Sequence, residues 1–409
     1  MLTKNKKPKT EEIPEGWGIK TLGEVSTDIS YGYTTSATNI PDGPKFLRIT
    51  DIQGDHVDWN SVPYCCIRSE DKNKYQLDIG DVCIARTGAS TGTNYTIKEK
   101  VDAVFASYLI RYKIDKTMAD PFYIGFLLKS PKWKDFVASI IGGSAQPGAN
   151  AKQFASFEFI LPSLPEQRAI TKILSDLDAK IELSHQMNKT LEQIAQAIFK
   201  KWFVDNVNHE WGRGKLVDIC EKITKGTTPT TLKKGFVEKG INFIKVESID
   251  EFGNLLQNKF AHIDNATNTL LSRSIIQEND ILYTIAGTIG RTAVATQEVL
   301  PANTNQAVAI IRLKNKLLYL SYIRLLLKTT NIAEKFQSKV VHAVQPNLSL
   351  GEISKTEILI PDEQILTKFN MQVDSVFQKM RQNTIQNSSL LEIRNSLLPR
   401  LMSGKIRVN

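Results

Sequence analysis

Apolar residues alternate between two spacings along the chain, and the alternation happens twice. Short runs rich in β-branched and aromatic residues come first, FLRI, VCIA and YLIRYKI in one half and FIKV, ILYT and AVAIIRL in the other. Gly- and Thr-rich stretches separate these runs, which predicts strands joined by loops. A segment with helical spacing follows in each half, PFYIGFLLKSPKWKDFVASI at 121–140 and LYLSYIRLLLKTTNIAEKFQS at 318–338. A short apolar run ending in Pro162 or Pro361 closes each half. Beyond it the period changes to alternating steps of three and four. Ile170, Leu174, Leu177, Ile181, Leu191, Ile198 and Trp202 keep that spacing in the first half, with Ser184, Asn188 and Ala195 filling the remaining steps. Phe369, Val373, Val376, Met380, Leu390, Leu397 and Leu401 keep it in the second, with Asn383 and Asn387 in the middle. Both patterns predict a heptad seam with a polar centre, where a buried Asn can fix register. The stretch from Glu166 to Trp202 would span roughly 55 Å as a helix, far more than the ~15 Å radius of gyration of a domain of about 160 residues. A helix that long cannot bury its stripe on one globule, and two equivalent helices most simply pack on each other.

The two halves also match block by block. GPKFLRITDIQ at 43–53 resembles GINFIKVESID at 240–250, and GDVCIARTGASTG at 80–92 resembles NDILYTIAGTIG at 279–290. AQPGANAKQFASFEFILP at 145–162 resembles VQPNLSLGEISKTEILIP at 344–361. The blocks are collinear at a nearly constant displacement of about 198 residues, too long for a solenoid repeat and right for a duplicated domain. A chain of 409 residues also exceeds the ~250–300 residues that one core can serve. The expected organisation is a flexible basic tail at 1–12, a first globule at 13–165, a long helix at 166–205, a second globule at 206–361 and a second long helix at 362–409. The fold class is α+β: two similar α/β globules joined by two long helices.

Composition narrows the partner. A net charge of +9 with 41% apolar residues describes a globular protein that favours an anionic partner, of which nucleic acid is the commonest. Cys65, Cys66, Cys83 and Cys220 form no C-x-x-C pair, so neither a zinc ribbon nor a disulfide framework is expected. The polar opening MLTKNKKPKTEE is no signal peptide, and no run approaches the ~18 apolar residues of a membrane span. A cytoplasmic protein is expected.

Enzymatic motifs are missing where each would have to be. An amino-methyltransferase needs an Asn/Asp-Pro-Pro-aromatic segment to hold the target amine, and the chain contains no Pro-Pro. It has no phosphate-binding G-x-x-x-x-G-K-[ST] loop. The sharpest rival reading is a stand-alone Mg-dependent nuclease or modification enzyme with two recognition domains. Glu70-Asp71-Lys72 fits an E-x-K pattern, with Asp51, Asp55 and Asp58 upstream as metal ligands. The duplicated half carries no counterpart, and His56, His185, His209, His262 and His342 are scattered. No catalytic residue and no metal site are expected. A coiled-coil scaffold without a DNA role is a third reading.

Reading DNA needs cations on phosphates, Arg, Asn and Gln forks on base edges, and loops whose backbone can approach closely. The Gly-rich loops supply such residues. The expected contacts are Arg86, Thr87, Ser90, Thr91 and Asn94 in the first globule, and Thr288, Arg291, Asn303, Asn305 and Gln306 in the second. Gln146, Asn150, Gln345 and Asn347 lie in repeated Gly/Pro turns, where contact competes with turn formation. Lys129, Lys132 and Lys134 offer phosphate contacts or a solvated helix face.

Several short motifs together carry a family resemblance over essentially the full length. They are the W-x-x-x-x-L-x-[ED] starts (Trp17 to Glu24, and loosely Trp211 to Asp218), the TGASTG and AGTIG loops, LPSLPEQ at 161–167, IPDEQ at 360–364 and the terminal SLLPRLMSGKIRV at 396–408. The chain resembles the specificity (S) subunit of type I restriction–modification enzymes. The resemblance implies two target-recognition domains and an antiparallel coiled-coil pair of helices that spaces them. It implies double-stranded DNA as ligand, read as a bipartite asymmetric site. It implies two methyltransferase (modification) subunits and restriction subunits as partners, with S-adenosylmethionine, ATP and Mg on those partners and no cofactor here. One departure stands out: TGASTGTN has no basic residue after its second Gly, whereas GTIGRT has Arg291, which leaves Arg86 as the first domain's cation.

Overall fold

The computed structural model describes residues 13–52, 56–141, 148–340 and 347–408. The expected tail at 1–12, Asp55, Gln146, Gln345 and His342 lie outside the described residues. The chain forms two compact units, Met1–Ile181 with Ser389–Asn409, and Glu182–Ser388.

In the first unit the apolar runs become the antiparallel sheet Ser26–Tyr31, Leu109–Ile114, Val82–Ala85 and Asn94–Thr96, in that order. A second sheet orders Ala37–Thr38, Tyr64–Cys65, Lys45–Leu47 and Ala103–Phe105, the last two parallel. Gly18–Thr21 pairs with Glu158–Leu161, tying the start of the globule to its end. The strand Val82–Ala85 is buried along its whole length, as an unbroken apolar run predicts. The helical spacing at 121–140 becomes two helices, Pro121–Leu127 and Pro131–Ile141. Asp120 caps the first of them, accepting from the Phe122 and Tyr123 amides, with Pro121 in the first turn, where its missing N–H costs nothing.

The second unit repeats the plan. Its antiparallel sheet orders Cys220–Lys225, Val308–Leu313, Ile281–Thr284 and Thr292–Val294. A three-stranded sheet orders Ala261–Ile263, Ile241–Ile244 and Ala302–Thr304, again with one parallel pair. Gly212–Lys215 pairs with Glu357–Ile360. A buried ion pair recurs at the matching place in each main sheet. Arg312 forks onto Asp280 at 2.8 and 2.7 Å, while Arg111 lies 3.9 Å from Asp81 and donates to Asp28 at 2.9 Å.

The two long helices are Leu164–Lys200, which runs on through the π-helical Lys201–Asp205, and Glu363–Met402. The expected boundaries made each helix a segment of its own. The compact units instead divide each helix, because its two ends belong to different cores. In the first unit, Ile170 and Leu174 from the start of the central helix pack in one cluster with Leu397, Leu398, Leu401 and Met402 from the end of the C-terminal helix. In the second unit, Leu366, Phe369 and Val373 share a cluster with Ala195, Phe199 and Phe203. The helices run antiparallel in both. Arg394 meets Asp178 at 2.9 Å and Arg407 meets Glu166 in the first unit, while Asn383 meets Asn188 and Gln372 meets Trp202 in the second. The polar steps of the seam are buried as the heptad pattern requires, Ser184, Asn188, Asn383 and Asn387 each at 5% exposure or less.

A carboxylate clasp closes the first unit. Arg407 forks onto Glu166 at 2.7 and 3.0 Å, and Trp17 Nε1 donates to the same carboxylate at 3.1 Å. Burial pushes the Glu166 pKa up, but the hydrogen bonds from Arg407 and Trp17 outweigh it and hold the group below its ordinary value. A depressed folded pKa stabilises above the unfolded value of about 4.3 and ceases to as pH falls through the folded one. Glu166→Gln should therefore lower the first unit's unfolding temperature by roughly 2–4 °C at neutral pH. Scanning calorimetry should show that gap closing only in acid, as pH falls from the unfolded value through the lowered folded one and the wild-type carboxylate takes up its proton. A gap that persists in acid would mean the charge is not what closes the unit.

Candidate nucleic-acid interface

The Gly-rich loops sit where three strand ends of each main sheet meet a fourth segment. In the first unit the backbone assembles them. Gly32 N donates to Leu109 O, Tyr33 N to Phe105 O, Arg86 N to Tyr108 O and Ala149 N to Arg86 O. Thr87 bridges Gly148. Gly88 and Gly92 take φ of +72° and +86°, a conformation that favours glycine, so the loop Gly88–Gly92 can turn within five residues. Trp133 holds its base, donating Nε1 to Gly92 O at 2.8 Å. The Arg86 guanidinium stacks over Tyr31, 4.9 Å from the ring centroid, and Tyr31 Oη accepts from Ala151 N. Tyr31 and Tyr108 remain 41% and 60% exposed, so the face presents exposed aromatic rings with a cation stacked on one of them, a combination suited to phosphates and bases.

The second unit builds the same face from different side chains. Gly226 N donates to Asn305 O, Ile285 N to Ala307 O and Leu348 N to Ile285 O. Ala286 bridges Asn347, and Gly287 and Gly290 take φ of +70° and +100°. Thr228 Oγ1 donates to Gln306, and exposed Arg273 donates to Thr227 Oγ1 at 3.2 Å. Arg291 donates through one terminal nitrogen to Ile249 O at 2.7 Å.

Most of the expected contacts gather on these faces. Arg86, Thr87, Ser90 and Thr91 lie together in one, and Thr288, Arg291, Asn305, Gln306 and Asn347 in the other. Asn94 and Asn303 require correction. Asn94 is 4% exposed and donates to Leu128 O at 2.7 Å. Asn303 is fully buried, accepting from Ser274 Oγ and donating to Asn268 Oδ1. Both point into the core and tie strands to neighbouring helices, so neither reaches a duplex. Asn150 caps the helix Ala151–Ala155 through a reciprocal capping box with Gln153, a turn-forming role. Lys132 and Lys134 are exposed on their helix.

Two blocks went unnoticed in the sequence. Tyr31-Gly32-Tyr33-Thr34-Thr35 and Lys225-Gly226-Thr227-Thr228-Pro229 end the first strand of each main sheet and complete each face. The readable signal was a fourth repeat, GYTT against GTTP, hidden by a displacement a few residues shorter than the others. Each glycine is sterically required. A Cβ on Gly32 would stand 2.2 Å from Ala106 O, and one on Gly226 1.7 Å from Thr304 O. Among the described residues, members of the nuclease constellation are engaged in other pairs. Arg48 holds Asp51 at 2.7 Å and Asp102 pairs with Lys72. Among the described residues no group of three or more His, Cys, Asp or Glu could hold a metal ion.

A glycine-built loop face repeated in each of two units, with both long helices contributing to both cores, defines a class. The profile of the type I restriction modification DNA specificity domain matches residues 14–193 and again 208–386, and the chain belongs to that family. The MjaIX type I restriction enzyme specificity subunit of Methanocaldococcus jannaschii is 25% identical over 97% of this chain and 95% of its own length. The HindI specificity subunit of Haemophilus influenzae is 23% identical over 95% of this chain and 99% of its own. The crystal structure of the type I restriction–modification S subunit from M. genitalium shares the fold, with a TM-score of 0.54 and 16% identity over 97% of this chain and 98% of that one.

The glycine requirement is testable within the second unit. Gly226→Ala should push the strand end off the 303–307 loop, destabilising the protein by about 1–3 kcal/mol and weakening DNA binding. Gly235→Ala, where a Cβ meets nothing within 4 Å, serves as the matched control. Thermal unfolding and a binding titration on both variants measure the difference, and equal behaviour would show that the close approach is not needed.

Proposed function

We propose that the chain is the non-catalytic DNA-reading subunit of a type I restriction–modification complex. Each target-recognition domain reads one half of a bipartite, asymmetric site in double-stranded DNA. The long helices set the unread spacer between the halves. The observation that supports this best is the repetition of one cation-edged, glycine-built face with unlike side chains, Arg86 stacked on Tyr31 in one unit and Arg273, Arg291 and Gln306 in the other. One backbone plan with two sets of side chains fits two different half-sites.

The chain directs two methyltransferase subunits and the restriction subunits to that site. S-adenosylmethionine, ATP and Mg belong to those partners. Among the described residues no helix is long and apolar enough to cross a membrane, and the protein works in the cytoplasm, where its DNA is.

The test is a domain exchange. Replacing residues 206–361 with the matching domain of another family member should change one half of the methylated sequence and leave the other half and the spacer length intact. Genome-wide mapping of methylated sites in cells carrying the complex reads this directly. Changes in both halves would contradict independent readers. DNA affinity should also fall steeply with salt, at a slope of about −0.9 per phosphate contact, whereas a flat response would exclude a phosphate-tracking interface.

A further inference from the structure

The polar centre of the helix seam does more in the second unit than pair two helices. Asn383 Nδ2 donates to Asn188 Oδ1 at 2.8 Å. Asn188 Nδ2 reaches both Met380 O and Thr384 Oγ1 at 3.3 Å. Thr384 Oγ1 lies 3.0 Å from Asn254 Oδ1, and Asn254 Nδ2 lies 2.8 Å from Asp250 Oδ2. A carboxylate only accepts, so the Asn254 amide turns its NH2 to Asp250 and its oxygen to Thr384, whose single hydroxyl proton has two acceptors within reach, Asn254 Oδ1 and Met380 O, each at 3.0 Å. A continuous set of polar contacts therefore links Asn383 through Asn188, Thr384 and Asn254 to Asp250.

Asp250 shapes the loop that carries it. Its other oxygen accepts from the Phe252 and Asn254 amides at 2.9 and 2.7 Å. The loop also lies hard against the strand that begins beside Arg291. A Cβ on Gly253, whose φ is +85°, would stand 2.2 Å from Thr292 O. Lys328, ion-paired to Glu192 at 3.0 Å, donates to Phe252 O at 3.2 Å. Next to Asp250, buried Ile249 offers the carbonyl that accepts from the Arg291 guanidinium at 2.7 Å. The buried seam thus ends, through one short loop, on the acceptor that aims Arg291.

We propose that Thr384 and Asn254 are positioning residues for Arg291, and that the seam's polar centre orients the second domain's reading loop. The inference rests on the reading of Arg291 as a DNA contact. Thr384→Val removes the hydroxyl at nearly constant shape, and Asn188 keeps its bonds to Asn383 and Met380, so helix pairing survives. Thr384→Ser keeps the hydroxyl.

The experiment uses the assembled complex on the duplex it methylates. Phosphate-ethylation interference is read across both half-sites, the domain exchange having shown which half belongs to residues 206–361. Thr384→Val should lower affinity roughly tenfold, the scale of one misplaced Arg contact. Interference should weaken only in the second domain's half, and Thr384→Ser should restore it. Unchanged interference with Thr384→Val, or equal weakening in both halves, would overturn the proposal. Arg291→Ala is run beside it. If that variant leaves the second half unchanged, Arg291 is no contact and the proposal falls with that reading. If it weakens the second half while Thr384→Val does not, the positioning role alone is wrong.

Discussion

Neither long helix can bury its own apolar stripe on the globule that precedes it, and the rest of the architecture follows from that. The C-terminal helix has 40 residues, roughly 60 Å at ~1.5 Å per residue. Its first turns fill the second unit's core through Phe369 and Val373, and its last turns fill the first unit's through Leu401 and Met402. The central helix does the reverse, with Ile170 and Leu174 in one core and Phe199 and Phe203 in the other. Removing a buried Phe of this kind costs about 3–5 kcal/mol, so neither core is complete without the far end of the other helix. The Glu166 clasp adds direction to that burial, since Trp17, the central helix and the C-terminal segment all converge on one carboxylate.

A polar centre interrupts the seam where apolar residues would pair more indiscriminately. Asn188 and Asn383 satisfy each other inside, and an apolar replacement of only one would leave a buried amide without its partner. A pairing with such a cost fixes the register of the two helices. In the second unit the same cluster continues outward through Thr384 to Asn254 and Asp250 of the loop at 250–254.

Both long helices, the strands and the duplicated loops were legible because each carries a period or a repeat. The heptad positions Ile181, Ser184, Asn188, Met380, Asn383 and Asn387 are all buried as their spacing required. The reading faces were legible only in part, for a physical reason. An irregular loop has no period, so nothing in TGASTGTN distinguishes Ser90 on the surface from Asn94, whose amide turns inward to Leu128 O. Asn303 looked like a base-reading side chain and is instead the interior link between a strand and the segment 268–274. Gly32 and Gly226 each follow the last residue of a strand and join the face through close contacts with Ala106 and Thr304, residues that lie about 75–80 positions further along the chain. The Arg86 stack likewise joins the residue just after the strand Val82–Ala85 to Tyr31 at the end of another strand.

The central claim is that each unit carries its own reading face and that the two faces meet different halves of one site. Site-specific photocross-linking tests it most directly. A photoreactive residue is placed at position 90 in one variant, at 288 in a second, and at Asp176, exposed on the central helix, in a third. Each assembled complex is irradiated on its methylated duplex, and the cross-linked bases are mapped. The account predicts that position 90 marks one half-site, position 288 the other, and position 176 neither. Cross-links from 90 and 288 in the same half, or from 176 alone, would contradict it.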